Sequence, residues 1–393
     1  MSTPKRIVII AGEESGDQHA ANIVTTLLSE NPTLQFSGIG GRHMQNAGVE
    51  LVSDLARFGV TGFSEVLRHA FVIKKAFTAI KKHLEAIKPD LLILVDYPGF
   101  NLRLAKFAKH ELGLRVLYYI SPQIWAWKAK RIHTIQSCVD RMAVILPFEK
   151  QIYQKANVPV SFVGHPLVNK IPDYTDLNQI RVDLGLPTDK KLVALLPGSR
   201  GNEIDRHMPV LVKTIKLLSS KDSNLHFVIP IAGTLEPDRI KNYFTDSKAA
   251  ISFISGQSIK VAACSDAVVV ASGTASLECA LLLKPMCIIY RTSRLTYFAA
   301  KRLIKVKYIG LCNLLQNKLI APELIQQECN PASLAKMVIE LLDNHDMSQQ
   351  MIRQLSVLKK SLSAEESDCS IAELVTRELG IEPSRPQVPG KSS

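Results

Sequence analysis

Short apolar runs alternate with stretches of helical periodicity along most of the chain. In the first half, runs rich in Val, Ile and Leu stand at 6–13, 34–41, 91–98, 115–122, 141–148 and 161–166. After a gap, the same pattern recurs at 191–199, 225–233, 251–255, 266–273 and 285–291. Continuous apolar runs separated by helices are typical of parallel strands that are covered on both faces. The pattern therefore predicts an α/β protein with two tandem Rossmann-like, doubly wound parallel sheets.

The polar, proline-containing stretch between the two halves predicts a domain boundary. We assign 1–168 to a first domain, 169–190 to a linker and 191–345 to a second domain. Helical periodicity then predicts C-terminal helices over 346–383, packed on the first domain or on a partner subunit, before a disordered tail at 384–393. Ligands of such sheets bind beyond the carboxyl ends of the strands, so an interdomain cleft is the expected site.

Composition and charge narrow the class of protein. The 393 residues are 46% hydrophobic, which excludes a disordered chain and favours two domains. A net charge of +12 favours an anionic partner, but no nucleic-acid motif accompanies it, so nucleic acid is not expected. The seven scattered Cys lack C-x-x-C spacing, and no apolar run of about 18 residues appears. We therefore expect a cytoplasmic chain without a signal peptide or a spanning helix.

Two strand ends in the first half carry carboxylates. The loop GEESGD (12–17) bears three of them where a phosphate would need N–H groups or cations, which leaves the ligand of this loop open. Asp96 ends a strongly apolar strand, just before a Pro-Gly turn. A carboxylate in that position acts either as a general base with a raised pKa or as a turn-forming helix cap.

Two strand ends in the second half suit a nucleotide. In LLPGSRGNE (195–203), Ser199 and Arg200 stand at the start of a helix whose free N–H groups and dipole favour a diphosphate. In SGTASLE (272–278), small residues let a ligand approach the backbone, and Glu278 can accept two ribose hydroxyls. Either stretch alone is also explained by a plain strand–helix turn with a Ser or Thr cap. Their occurrence in one domain favours a nucleotide site.

Two further stretches suit a sugar or a lipid. The segment YYISPQIWAWKAKRI (118–132) sets both Trp residues beside cations, which suits a sugar face, a phosphate or a membrane interface, but also an ordinary core Trp. The stretch 69–88 predicts an amphipathic helix whose apolar stripe lies on the sheet or in a membrane interface. In the second interpretation the membrane-facing residues are Phe63, Phe71, Val72, Ile73, Lys74 and Lys75.

No metal or cofactor is expected. The sequence has no P-loop, no H-E-x-x-H, no metal-spaced Cys/His set and no Asp-x-Asp of the kind that holds a metal on a nucleotide sugar. A departing nucleoside diphosphate would then be stabilised by Arg200 and by helix dipoles.

Taken in order, eight motifs resemble those of the lipid-A-disaccharide synthase family, from about residue 6 to about residue 375. They are GEESGD, GIGG-x-x-M, DYPGFN, SPQIWAWK, FVGHPL, LLPGSR-x-x-E, SGTASLE and NLL. The resemblance implies a metal-independent, inverting glycosyltransferase of the two-Rossmann-domain (GT-B) type. It would transfer 2,3-diacylglucosamine from UDP to the 6-hydroxyl of 2,3-diacylglucosamine 1-phosphate (lipid X), giving the β-1,6 lipid A disaccharide 1-phosphate and UDP. It would work peripherally on the anionic inner face of the cytoplasmic membrane of Gram-negative bacteria, with C-terminal segments that can be exchanged in a homodimer.

Carried over position by position, the resemblance assigns roles to individual residues. Asp96 is the general base on the acceptor hydroxyl. The UDP site is formed by Ser199, Arg200, Glu203, Ser272, Gly273, Thr274, Glu278 and Asn313. The chain departs from the family pattern at Glu14, where a small residue or Pro is frequent, and at Cys312, where Pro is frequent. The departure at Glu14 leaves the charge of the first loop open, and the departure at Cys312 leaves the orientation of Asn313 open.

Since the second half supplies the nucleotide site, the acidic first loop is expected to bind the hydroxyl groups of the acceptor sugar. The acceptor-binding set is Glu13, Ser15, Gly16, Asp17, Trp127 and Lys128. The 1-phosphate of the acceptor is expected near Lys128, Lys130 or Arg131, away from the acidic loop. Two other interpretations stay open: a UDP-N-acetylsugar 2-epimerase or another UDP-sugar transferase on the same fold, and a nucleotide-sensing binding module.

Overall fold

The computed structural model describes residues 4–54, 63–125, 128–293, 297 and 307–381, with the backbone alone over 63–70. The chain divides into two units. The first comprises Met1–Pro166 and Leu362–Ser393, and the second comprises Leu167–Ser361.

Seven parallel strands form the described sheet of the first unit. They are β1 (Arg6–Ala11), β2 (Gln35–Gly40), β3 (Glu50–Asp54), β4 (Leu91–Val95), β5 (Val116–Tyr119), β6 (Arg141–Val144) and β7 (Val160–Phe162). Their order across the sheet is β3-β2-β1-β4-β5-β6-β7. Every residue of β4, with the sequence LLILV, is buried, as expected for a central strand with helices on both faces.

Helices cover both faces of this first sheet. They are α1 (Glu14–Glu30), α2 (Arg42–Asn46), α3 (Phe63–Ile87), α4 (Pro98–His110), α5 (Arg131–Cys138) and α6 (Pro147–Lys155). One core contains Ile80 and Leu84 of α3 together with side chains of α4, α5 and α6. The core on the other face contains side chains of α1 and α2. The burial of Ile80 and Leu84 confirms the apolar stripe predicted for α3.

Six parallel strands form the described sheet of the second unit, in the order β10-β9-β8-β11-β12-β13. The strands are β8 (Lys191–Leu196), β9 (Leu225–Ile231), β10 (Ile251–Ser255), β11 (Ala267–Ala271), β12 (Met286–Tyr290) and β13 (Glu323–Ile325). The helices are α7 (Leu177–Asp183), α8 (Gly201–Ser219), α9 (Pro237–Lys241), α10 (Ser258–Cys264), α11 (Thr274–Leu281), α12 (Leu311–Gln316), α13 (Pro331–Asp343) and α14 (His345–Ser361). The two parallel sheets confirm the predicted fold class; the apolar runs predict every described strand except β3 and β13.

The chain returns to the first unit after α14. Helix α15 (Ile371–Glu378) contributes apolar side chains to the same core as α1. The carboxylate of Glu378 is only 4% exposed and accepts hydrogen bonds from Arg115 Nε at 2.7 Å and Arg141 Nε at 3.1 Å. Two ion pairs to the buried Glu378 carboxylate, together with the apolar face of the helix, therefore hold α15 on the first sheet.

Each sheet has one point where the strand order reverses. In the first sheet β1 lies beside β4, and in the second sheet β8 lies beside β11. The loops that follow such neighbouring strands diverge to opposite faces, and the crevice between them is where open α/β sheets bind ligands. The GEESGD loop and Asp96 follow the first pair, and the PGSR and SGT loops follow the second. The topology thus brings the predicted site residues of these four loops together in two groups, one in each unit.

Candidate functional site

A cavity of about 410 Å³ opens at the reversal point of the second sheet. Leu196 of β8 is in register with Val270 of β11, so the loops after these two strands start side by side. The lining residues from those loops are Pro197, Gly198, Ser199, Arg200, Glu203, Ser272, Gly273 and Thr274. The volume lies in the range of small-molecule sites. The structure therefore brings together six of the eight residues predicted to bind UDP.

The loop after β8 is shaped by Glu203. Its Oε2 accepts hydrogen bonds from the backbone N–H groups of Ser199 at 3.0 Å and Arg200 at 3.2 Å. Gly198 has a φ of +115°, and a Cβ at this position would lie 2.4 Å from Glu203 Oε2. Only glycine fits this backbone conformation and this close approach. The carboxylate of Glu203 therefore holds this loop in place.

Arg200 presents the positive charge of the cavity. Its side chain is 81% exposed and pairs with Glu203 at 3.2 Å through Nη1. The loop below it is tied to β12 by His207, whose Nδ1 donates to Pro197 O at 2.7 Å and whose Nε2 accepts from Arg291 N at 3.0 Å. Burial lowers the pKa of His207, which keeps the ring neutral and able to do both. A guanidinium on a braced loop suits a diphosphate.

The loop after β11 exposes backbone to the same cavity. Gly273 and Thr274 are exposed, and no side chain caps the first turn of α11. Ser272 donates its hydroxyl to Ile309 O at 3.0 Å. The free N–H groups and the positive dipole end of α11 therefore face the cavity, an arrangement that favours an anion.

Two predicted nucleotide contacts lie elsewhere in the second unit. Glu278 does not line the cavity; it is half-buried on α11, where burial raises its pKa against the charge of Lys170. Asn313 is fully buried, and its amide bonds to Ala321 O at 2.7 Å and to Glu323 Oε1 at 2.8 Å. Its Oδ1 accepts the N–H groups of 320 and 321. This side chain is fully hydrogen-bonded within its own unit and organises the loop before β13. The predicted contact of Asn313 with the nucleotide stays a prediction.

In the first unit, Asp96 stands at the end of β4 in a strained, well-held backbone. Its φ is +46°, in the left-handed region, and its carbonyl accepts Tyr118 Oη at 2.6 Å and Asn101 Nδ2 at 2.7 Å. Burial is the main cause that raises the pKa of Asp96 to about 6, and the negative charge of Glu13 adds to it. A carboxylate with a pKa near neutrality is well suited to general-base catalysis. Sequence patterns did not single out Tyr118 or Asn101 as its supports.

The acidic loop after β1 divides into an exposed and a buried part. Glu13 and Ser15 are exposed, whereas Gly16 and Asp17 are buried in the start of α1. The Asp17 carboxylate accepts three backbone N–H groups at the start of α2, from Gly41 at 2.6 Å, from residue 43 at 2.9 Å and from residue 44 at 3.2 Å. Gly16 and Asp17 are thus enclosed by their own unit, and their predicted contact with the acceptor stays a prediction. Glu13 and Ser15 remain available.

Three side chains in this loop region approach one another closely enough to hold a metal ion. The ligand atoms of Glu14, Asp17 and His43 lie within 4.8 Å of one another. However, Asp17 is occupied by backbone donors, and His43 Nε2 is 2.9 Å from Glu14 Oε1. All three side chains of this cluster are thus hydrogen-bonded within the protein.

The remaining predicted contacts fall at the edge of the described structure. Trp127 and the side chain of Phe63 lie outside the described residues, and Lys128 is exposed. On α3, Phe71 is 71% exposed and Lys74 and Lys75 are exposed. Two further members of that predicted face, Val72 and Ile73, are half-buried against the core of the first sheet. No described helix is both long and apolar enough to cross a membrane.

The sequence is similar to those of known proteins along nearly the whole chain. Residues 7–379 match the family described as lipid-A-disaccharide synthetase. The chain is 56% identical over 379 residues to lipid-A-disaccharide synthase 1 of Legionella pneumophila (strain Lens), covering 96% of this chain and 99% of the relative. It is 43% identical over 372 residues to lipid-A-disaccharide synthase of Trichlorobacter lovleyi, covering 95% and 97%.

Solved structures with little sequence identity to this chain share its fold. A putative UDP-N-acetylglucosamine 2-epimerase from Listeria monocytogenes superimposes with a TM-score of 0.61 at 14% identity, covering 98% of this chain and 99% of that one. A calicheamicin glycosyltransferase gives a TM-score of 0.61 at 14% identity, covering 96% and 99%. At this identity the likeness extends to the GT-B architecture, which transferases and epimerases share.

Proposed function

Because the chain belongs to the lipid-A-disaccharide synthase family, and is thus a glycosyltransferase, we propose that it joins two acylated glucosamines. The donor is UDP-2,3-diacylglucosamine and the acceptor is 2,3-diacylglucosamine 1-phosphate (lipid X). The 6-hydroxyl of the acceptor attacks C1 of the donor from the face opposite UDP. The products are the β-1,6 disaccharide 1-phosphate and UDP, with the configuration at C1 inverted. The epimerase alternative is not favoured, because the epimerase likeness is one of fold only.

The observation that carries this proposal is the placement and titration of Asp96. Its pKa of about 6 leaves it largely ionised at neutral pH yet basic enough to accept a proton. In the proposed reaction the carboxylate takes the proton of the acceptor 6-hydroxyl as the new C–O bond forms. Glu13 and Ser15, exposed on the neighbouring loop, accept and donate hydrogen bonds to other acceptor hydroxyls. Lys128 is assigned to the acceptor phosphate.

When the bond between C1 of the donor and the diphosphate oxygen breaks, its electron pair stays with UDP and adds a negative charge to the diphosphate. Arg200 and the uncapped start of α11 face the cavity into which we assign the diphosphate. A guanidinium and a helix dipole stabilise such charge without a metal. The proposal therefore includes activity in excess EDTA, and loss of activity on chelation would contradict this part.

Both substrates carry acyl chains, so the enzyme is proposed to work at the anionic inner face of the cytoplasmic membrane. The exposed Phe71, Lys74 and Lys75 of α3 are its proposed contact, since an apolar tip flanked by lysines suits an anionic interface. A homodimer that exchanges the segment after α14 is also proposed. In it, Glu378 of each subunit would make with the partner the arginine contacts that it makes here within one chain.

The decisive experiment measures product formation by the wild-type protein and by a variant that lacks the proposed base, Asp96. Purified protein, UDP-2,3-diacylglucosamine and lipid X should yield UDP and disaccharide in equal amounts. Asp96→Asn should lower kcat at least about 100-fold with unchanged UDP affinity. Asn is chosen because it tolerates the left-handed φ at this position better than Ala.

A matched control removes a carboxylate from the opposite end of the same strand. Asp90 precedes β4 and bonds to Lys5 and to the N–H of Arg6. Asp90→Asn should keep wild-type kcat. Full activity of the Asp96 variant would reassign the base, and absence of disaccharide with folded wild-type protein would refute the proposed reaction.

A further inference from the structure

Glu149 is a buried carboxyl that the proposed reaction leaves without a role. It lies in the first turn of α6, and only 1% of its surface is exposed. Its Oε1 accepts a hydrogen bond from Trp125 Nε1 at 3.0 Å. Among the described residues, Oε2 has no hydrogen-bond partner. A buried carboxylate with one oxygen that no donor reaches is costly, whereas a neutral carboxylic acid in the same place costs far less.

The polar groups around Glu149 come from three elements of the first unit. Asp96 follows β4, Ser121 and Trp125 follow β5, and Tyr153 lies one turn further along α6. The hydroxyls of Ser121 and Tyr153 are 2.7 Å apart and bond to each other. The carboxyl therefore sits at the junction between the segment 121–125, the proposed base and α6.

Charges in this junction disfavour ionisation of Glu149. Burial is the main cause that raises the pKa of Glu149 to about 8, and the negative charge of Asp96 adds to the rise. The donor groups of Trp125 and Ser121 and the backbone at Leu146 oppose the rise without cancelling it. The positive charge of Arg131, at the start of α5, opposes the rise that burial causes in the pKa of Tyr118 on β5 but is not among the causes that shift the pKa of Glu149. At neutral pH the favoured state is the protonated acid.

We propose that Glu149 is a positioning residue that works as a neutral acid: it fixes the segment 121–125 beside Asp96 through the indole of Trp125 and adds no second negative charge there. The inference rests on the proposed function in so far as Asp96 is the base. Its consequence is electrostatic, because an ionised Glu149 would raise the pKa of Asp96 and leave less base at neutral pH.

The ionisation of Glu149 can be read without any turnover. The chain has two Trp residues, so Trp127→Phe leaves Trp125, the direct partner of Glu149, as the single indole. Emission of this variant, titrated from about pH 5.5 to about pH 9.5, should change with a midpoint near 8. The change should vanish when Glu149→Gln is added. A midpoint below about 7, or a curve that is the same with Gln at position 149, overturns the proposal.

Kinetics then separate a neutral acid from a carboxylate. Glu149→Gln is uncharged and keeps an oxygen for the indole, so kcat should stay within about threefold of wild type and the acidic limb of the pH profile should not move. Glu149→Leu has similar bulk but no acceptor, so kcat should fall about tenfold or more while UDP binding in the second unit is unchanged.

The outcomes distinguish this inference from the proposed function. If folded wild-type protein forms no disaccharide, the proposed function fails, and the fluorescence titration still decides the state of Glu149. If wild type is active but Glu149→Gln, with a wild-type melting curve, loses activity like Glu149→Leu, a carboxylate is required and the inference is wrong. Wild-type kcat in Glu149→Leu would likewise remove any positioning role.

Discussion

The charge of Glu13 offers a direct test of how Asp96 acquires its basicity. The pKa of Asp96 rises from 3.8 to about 6, chiefly through burial and secondly through Glu13. This rise in the pKa corresponds to about 3 kcal/mol between the two protonation states. Because the protonated form cannot accept the acceptor proton, kcat/KM should fall about tenfold per pH unit below about 6.

Glu13→Gln removes the second cause and leaves the first. Burial is the larger cause, so the acidic limb should move down by less than the whole rise, on the order of half to one unit. At about pH 5.5, the fraction of ionised Asp96 would then increase from about one quarter to between about one half and three quarters. Activity at that pH, relative to each enzyme's own plateau, should increase in the same proportion.

The assay is initial-rate formation of UDP between about pH 4.5 and about pH 8.5, with each profile scaled to its plateau. Scaling matters because Glu13 is also assigned to an acceptor hydroxyl, so its loss lowers the plateau itself. Glu14→Gln is the matched control: Glu14 is exposed in the same loop and has no part in the shift of Asp96, so its profile should coincide with wild type. An acidic limb that stays in place or moves to higher pH in Glu13→Gln would refute the electrostatic reasoning.

Two further predictions concern the nucleotide cavity and the acidic loop. Arg200→Ala should weaken UDP binding, measured by calorimetry, on the order of ten- to hundredfold without changing the melting curve, because the side chain is 81% exposed; unchanged affinity would remove Arg200 from the diphosphate site. Asp17→Asn should lower the free energy of unfolding in urea by about 2–3 kcal/mol, because one amide oxygen cannot serve three backbone donors. A raised KM for the acceptor with wild-type stability would instead return Asp17 to the binding surface.

The sequence predicts those strands that are buried along their whole length, because full burial leaves a continuous apolar run in the sequence. LLILV in β4 and AVVVA in β11 are apolar at every position and are buried at every position. β3 is only partly buried at the sheet edge, and β13 has three residues, so neither carries a continuous apolar run. Short, half-exposed edge strands are determined by pairing with a neighbour that the local pattern does not contain.

The candidate site divides in the same way. Arg200, Gly273 and Thr274 are in the cavity because strand ends and helix starts follow from local sequence. Asp17 is assigned to the acceptor because the carboxylates of the acidic loop suit sugar hydroxyls, and Asn313 is assigned to the nucleotide by the family resemblance alone. Asp17 is buried by donors from residues 41–44, across β2, and Asn313 by the loop before β13. These tertiary hydrogen-bond partners are distant along the chain, so no local sequence pattern predicts them.

The return of the chain to the first unit has a consequence for biosynthesis. Residues 167–361 form the second unit without interruption, whereas the first unit is completed only by residues after 361. During synthesis the second unit can fold while the face of the first sheet that receives α15 is still uncovered. Premature termination before Ile371 would leave Arg115 and Arg141 without Glu378 and would expose an apolar groove along α1.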